Sequence, residues 1–282
     1  MRKLGRKQPL SLPATLVVQI LFVLYSISVL FSLYFIVINS LKTDAQYAQS
    51  AILPLGFSFS NFVTVWGKVG LGKALWNSFK YTTCGLSLAF VCAVLASFAF
   101  AFYDFRGKGK LFQLIMFTMY MAPMSIILPL YLQMIDLKLT NSTLGITLIY
   151  GAISVSFGVF IITNGFKGVP KEIYESAKMD GASDMRFLIK IVMPITRSSW
   201  ITFLVVYFNT LWSDLLFGLI FLQKAEFAPA MVVLQGLKGG KYASSFVEVF
   251  TGLVIMAIPS ILIYTLAQKY FVLGISEGSV KG

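Results

Sequence analysis

Six runs of apolar residues divide this chain, at roughly 14–38, 81–103, 111–132, 144–165, 199–221 and 247–271. Each is long enough for a helix to cross a bilayer, which takes about 20 residues. Lipid offers no water to backbone N–H and C=O groups, so such a run has to close its hydrogen bonds internally as helix. Barrel strands would alternate polar and apolar residues over about ten positions, and these runs are uninterrupted. The chain is therefore read as an all-α polytopic membrane protein with six transmembrane helices. Composition agrees: 57% of the 282 residues are hydrophobic and 12% are charged, where a soluble domain carries about a quarter charged. The first run, Leu10 to Ile38, follows Arg2, Lys3, Arg6 and Lys7. It exceeds the roughly 7–15 apolar residues of a signal peptide and is read as an uncleaved membrane helix.

Charge sets the orientation. An even number of spans leaves both termini on one side. With that side cytoplasmic, fifteen of the 23 Lys and Arg residues fall inside and eight outside, which favours N-in, C-in. The net charge of +12 then belongs to loops that set topology and meet anionic headgroups, and nucleic-acid binding is not expected. The chain has no histidine. That removes the commonest general base and metal ligand, and no nucleophile–base constellation replaces it. Cys84 and Cys92 lie inside one apolar run and are read as packing residues, without disulfide or metal. Neither an enzyme nor a metal protein is expected.

One stretch imitates a nucleotide site. Residues 67–74 read GKVGLGKA, one residue short of a phosphate-cradling loop. Ala74 lacks the hydroxyl that would reach Mg²⁺, and a preceding strand is poorly supported. The chain is read as having no ATP site of its own.

Within the second run a small residue recurs every fourth position: Gly85, Ala89, Ala93, Ser97, Ala101. Gly151, Ser154 and Gly158, three and four positions apart, form a similar stripe in the fourth. Such stripes let helices approach closely, and packing within one subunit is favoured over a dimer interface. Asp214 and Glu248 stand near the ends of the fifth and sixth runs, as carboxylates facing a cavity or wetted at the interface.

The polar exception is the cytoplasmic segment GVPKEIYESAKMDGASDMRFLIKIVMPI, Gly168 to Ile195. Pro170 suits a helix start, with Glu172 and Glu175 near its positive end. Asp180-Gly181 is a stop-and-turn signal. Ser183 can cap a second helix, and Pro194 marks the passage into span five. Two short helices hinged at Gly181 are expected.

The spacing Glu175-Ser176-Ala177, three residues, Gly181, nine residues, Ile191, one residue, Met193-Pro194 resembles the E-A-A-x3-G-x9-I-x-L-P loop of binding-protein-dependent ABC importer permeases. Ser176 and Met193 depart mildly from that pattern. WNSFKYT (76–82), NSTLGITLIY (141–150), FNTLWSDLLF (208–217) and the closing AIPSILIYTLAQKYFVLGISEGSVKG (257–282) resemble the maltose-type carbohydrate-uptake branch. The resemblance implies one permease domain over 1–282, with a coupling loop at 168–195 and a cytoplasmic tail at 272–282. It also implies a place in the cytoplasmic (inner) membrane of a bacterium or archaeon. Its implied partners are a second, homologous permease subunit, two ATPase subunits that bind ATP and Mg²⁺, and an extracytoplasmic solute-binding protein. No cofactor is implied in this chain.

By the same resemblance, Glu175, Ser176, Ala177, Asp180, Gly181, Ile191 and Pro194 form the ATPase-coupling site. Glu277, Gly278, Ser279, Lys281 and Gly282 form an ATPase-contacting tail. A loop around Gly236, Gly239 and Gly240 probes the binding protein. Tyr120, Asn209, Trp212 and Asp214 are candidates for a sugar-lined cavity, since sugars need polar and aromatic walls. The competing readings are an ABC permease for a non-sugar solute and an ion-coupled secondary transporter. The latter needs protonatable groups near mid-membrane, for which only Asp214 is on offer, and an internal repeat, which is not evident.

Overall fold

The computed structural model describes residues 12–238 and 245–279. Among them the chain is helical, with no strand. α1 (Leu12–Ser40) is apolar and exposed along most of its length. The short α2 (Asp44–Gln49) and α3 (Ser60–Val63), with a π turn at Thr64–Lys68, lead to α4 (Leu71–Phe102). α5 (Lys108–Met119) and α6 (Pro123–Asp136) form a bent pair, and α7 (Thr143–Lys167) is the next unbroken rod. α8 (Lys171–Met179), α9 (Asp184–Phe187), a second π turn (Leu188–Val192) and α10 (Met193–Ile195) make up the polar segment. α11 (Arg197–Trp212), α12 (Leu216–Phe221), α13 (Ala230–Lys238) and α14 (Phe246–Ser279) follow.

Four helices, α1, α4, α7 and α14, are long and apolar enough to cross a membrane, and up to six crossings follow if each bent pair is one span. The third run, read as one helix over 111–132, turns by 98° between α5 and α6. Pro123 explains the turn: it opens α6, and the residue before a proline is pushed out of the α region, as Ala122 is at ψ 131°. The fifth run breaks at 213–215, where Asp214 interrupts it. Its start is also bent, by 79°, against the rod 184–195. The turn falls at Thr196, two residues beyond Pro194.

The core is the α4–α7 pair. Gly85, Ala89, Ala93, Ser97 and Ala101 are all buried, and so are Gly151, Ser154 and Gly158. A Cβ on Gly85 would lie 2.5 Å from Tyr150 Cβ, and one on Gly158 2.8 Å from Ala93 Cβ. The Ser97 hydroxyl donates to Val159 O at 3.3 Å. The small residues thus serve packing within the subunit. Cys84 and Cys92, read as packing residues, instead lie exposed on the other side of α4.

GKVGLGKA has no strand before it: a π turn precedes Gly70, whose φ of 77° precedes the first residue of α4. Lys42, counted above as an exterior cation, is fully buried. Its ammonium donates to Asn39 Oδ1 and to Ser50 O, both at 2.9 Å, and burial lowers its pKa.

Candidate coupling site and transport cavity

α8 and α9 form the hinged pair that the polar segment implied. Gly181 adopts φ 77°, the left-handed region open to glycine at no steric cost. Its N–H closes on Lys178 O at 3.0 Å, and Ala182 N–H on Ala177 O at 2.9 Å, a helix-terminating turn of the Schellman kind. Ser183 caps α9 through its hydroxyl, which accepts from Arg186 N–H.

The two short helices are braced across the hinge. The Tyr174 hydroxyl donates to Asp184 Oδ1 at 2.8 Å. Lys178 Nζ reaches the same oxygen at 2.8 Å and lies 5.6 Å from the Tyr174 ring centroid. Hydrogen bonding from Lys178, then from Tyr103 and Tyr174, holds the Asp184 carboxyl below its usual range. Burial, followed by the Asp184 carboxylate, pushes Tyr103 up to about 12.

The hinged pair is also seated on α4. Tyr174 packs against Phe187 (centroids 5.0 Å apart), Phe102 (5.3 Å) and Phe98 (6.3 Å), and Phe187 in turn meets Phe102 at 5.3 Å. Aromatic pairs of this kind contribute about 0.5–1.5 kcal/mol beyond the area they bury. At its other end α8 meets the segment just after α4, where the exposed Lys171 and Asp104 lie 3.5 Å apart.

One side of α8 is therefore committed to the bundle. The other carries Glu172, Glu175, Ser176 and Met179, all exposed, Met179 by 82%. Ala177 falls on the inner side, only 8% exposed, so it packs the hinge and leaves outward contact to Ser176. Asp180 is exposed, Ile191 is half-buried and Pro194 is exposed beside the bend. The carbonyl of Met193 accepts from Trp200 Nε1 at 2.9 Å.

The two helix breaks, 120–122 and 213–215, border one cavity of about 470 Å³. Its polar lining is Thr118, Ser156, Tyr207, Thr210 and Asp214, with the Thr118 and Ser156 hydroxyls hydrogen-bonded to each other. Asp214 Oδ2 accepts from the Tyr150 hydroxyl at 2.9 Å and from Gly218 N–H at 3.0 Å, and Oδ1 accepts from Phe217 N–H at 3.3 Å. The carboxylate thus satisfies first-turn N–H groups of α12, which is why the run breaks there.

Residues 85–277 match the family described as binding-protein-dependent transport system inner membrane component. The chain belongs to this family. This permease component is 27% identical over 250 residues to the melibiose/raffinose/stachyose import permease protein MelC of Bacillus subtilis, covering 88% of this chain and 90% of that one. It is 25% identical over 252 residues to the lactose transport system permease protein LacG of Rhizobium radiobacter, covering 89% and 91%. Its fold matches the crystal structure of a bacterial ABC transporter involved in the import of the acidic polysaccharide alginate, with a TM-score of 0.76 and 24% identity over 91% of this chain and 96% of that one. It is a multi-pass membrane protein.

Set against the residues expected in a permease of this kind, the cavity takes Asp214 and leaves out the other three. Trp212 is 4% exposed, stacked on Phe208, and donates Nε1–H to Met256 O at 3.0 Å. Asn209 donates to Val205 O of its own helix at 3.1 Å. Tyr120 sits at the α5–α6 break, 86% exposed and off the cavity wall. Thr118, Ser156, Tyr207 and Thr210 line the cavity without having been singled out by the sequence. Their signal, isolated hydroxyls in three separate runs, has no meaning until the runs are packed. Glu248 is half-buried in the first turn of α14. Gly236 belongs to α13, while Gly239 and Gly240 lie outside the described residues, as do Lys281 and Gly282. Glu277, Gly278 and Ser279 end α14.

Proposed function

We propose that this chain is the transmembrane permease subunit of an ATP-driven importer for a carbohydrate, an oligosaccharide or sugar derivative, delivered by an extracytoplasmic binding protein. The observation that carries the reading is the two-sided α8: one side packed on α4 through Tyr174 against Phe98 and Phe102, the other exposed with Glu172, Glu175, Ser176 and Met179. A helix held that way can pass on a push from a protein docked on its free side. Family membership and the sugars in the names of its relatives support the substrate class.

In this reading the chain sits in the inner membrane, N-in and C-in with six crossings. It pairs with a second, homologous permease subunit and two ATPase subunits that bind ATP and Mg²⁺. Glu175 meets a basic residue of the ATPase, Ser176 gives close contact, and Gly181 turns the backbone. The tail from Glu277 reaches toward the same subunits, and the loop after Gly236 meets the binding protein. ATP biases the assembly because the ATPase contacts α8 differently when open and closed, and rigid-body movement opens the cavity alternately to either side.

The test is reconstitution of the chain with an ATPase, a second permease and a solute-binding protein from its own genome. The chain alone hydrolyses no ATP, the assembly imports sugar, and Glu175→Arg loses ATPase association while remaining in the membrane. Hydrolysis by the isolated chain, or ATP-independent uptake driven by an ion gradient, would overturn the reading.

A further inference from the structure

The WNSFKYT and NSTLGITLIY motifs mark no part of the coupling site or the cavity wall, yet both act on one segment. Asn77 Nδ2 donates to Glu226 O at 3.0 Å and to Ala228 O at 3.2 Å. Ser78 accepts from Ala230 N–H at 2.8 Å, and the Tyr81 hydroxyl donates to Phe227 O at 3.1 Å. Asn141, just before α7, donates its N–H to Phe221 O and accepts from Lys224 N–H through Oδ1, both at 2.8 Å. Residues 221–230 are thus a strap pinned to the start of α4 and the start of α7. The strap continues directly into α13, the helix that carries Gly236.

The opposite ends of the same two helices hold the coupling hairpin. α4 seats it through Phe98, Phe102 and the following Tyr103. α7 is joined to α8 by residues 168–170 alone. Between these ends α4 runs 32 residues without a break, about 48 Å at 1.5 Å per residue, and the small-residue stripe holds it against α7. Of the other routes, α5–α6 is interrupted by a 98° turn and the 184–212 path by a 79° turn and by the 213–215 break, while α14 is continuous with an internal Pro259 and α1 is continuous but packs on α14.

We infer that the α4–α7 pair is a stiff connecting body whose positioning residues, Asn77 and Tyr81 at one end and Tyr174 at the other, make docking on the strap side and docking on α8 report to each other. The inference rests on the importer reading. It adds where the signal runs and which side chains join it at each end. A body in series fails as a whole when either end is loosened. Two independent supports would instead show separate losses, as substitutions more than about 7–10 Å apart usually do.

The test uses the complete transporter in proteoliposomes, with the ratio of ATP hydrolysis with and without sugar-loaded binding protein as readout. Asn77→Ala and Tyr174→Ala each bring that ratio down toward unity, and the double variant is no lower than either single one. Tyr174→Phe, which keeps the ring between Phe102 and Phe187, restores the response. Where Asn77→Ala is lost from the membrane, Tyr81→Phe replaces it at the strap end. Losses that multiply in the double variant, single variants that respond like the parent, or failure of Tyr174→Phe to restore the ratio would overturn the inference. A parent transporter whose hydrolysis ignores the binding protein would instead remove the importer reading beneath it.

Discussion

Gly181 shows how far one backbone angle constrains a site. A Cβ there meets nothing within 4 Å, yet φ is 77°, so any cost of substitution is conformational. Gly181→Ala is expected to destabilise the hinge by about 1 kcal/mol. Gly181→Asn, with a side chain that tolerates the left-handed region, is expected to keep most uptake. Gly181→Val is expected to lose it. Initial sugar uptake at matched membrane levels, checked by immunoblot, ranks the three. Asp184 makes a second prediction at this scale. Its carboxyl is held below the ordinary 3.8 by Lys178, Tyr103 and Tyr174. The stabilisation is therefore complete above that value and lost as pH falls through the lower, folded-state one. Melting temperatures of the purified chain measured from pH 6 downward should show parent and Asp184→Asn converging below about pH 4. A gap that stays constant would mean that Asp184 acts only through shape.

At the scale of elements, the α4–α7 contact makes the sharpest claim. Ala89 and Ala93 are fully buried on α4, and added methylenes at such positions cost about 1–3 kcal/mol. Ala89→Leu should lower thermal stability in detergent by that much, while Cys84→Leu on the exposed side leaves the folded chain unchanged. Equal melting of both variants would refute the packing. The long helices were legible because membrane spans follow from run length alone, and the hairpin because Pro170, Gly181 and Ser183 are local signals. The breaks were half legible. Pro123 and Asp214 stand in plain view, but a hydropathy reading runs through a proline and through a single carboxylate. What could not be read is contact between distant residues. Asn77 and Glu226 are 149 positions apart, and nothing near either says that an amide will clamp that carbonyl. That Ala177, placed in the coupling site by resemblance, is buried could not be read for a related reason: helical spacing shows which residues share a side, and only packing shows which side is buried.

For the whole molecule, the placement of the cavity separates two parts of the work. The α8–α9 hairpin hangs from α4 and α7, whereas the cavity lies where the chain is broken, between the α5–α6 turn and the α11–α12 break, with Ala152, Ile153 and Ser156 of α7 completing its wall. Broken helices at membrane depth are tolerated where they line a cavity, and substrate sites gather there. Blocking the cavity should therefore stop passage without silencing the signal. Ala152 offers the cleanest intervention, because it lines the cavity, is exposed to it and makes no side-chain hydrogen bond that substitution would break. Ala152→Phe puts a ring into about 470 Å³ of space and is expected to cut sugar uptake on the order of tenfold, the effect of a barrier raised by about 1.4 kcal/mol. Ala152→Ser should transport normally. In the Phe variant the binding protein still raises ATP hydrolysis, because Ala152, although on α7, is exposed to the cavity and lies off the buried Gly151, Ser154 and Gly158 positions of that helix. Uptake at the parent rate would place the sugar path elsewhere. Loss of the hydrolytic response along with uptake would show that the cavity wall and the coupling path are one structure.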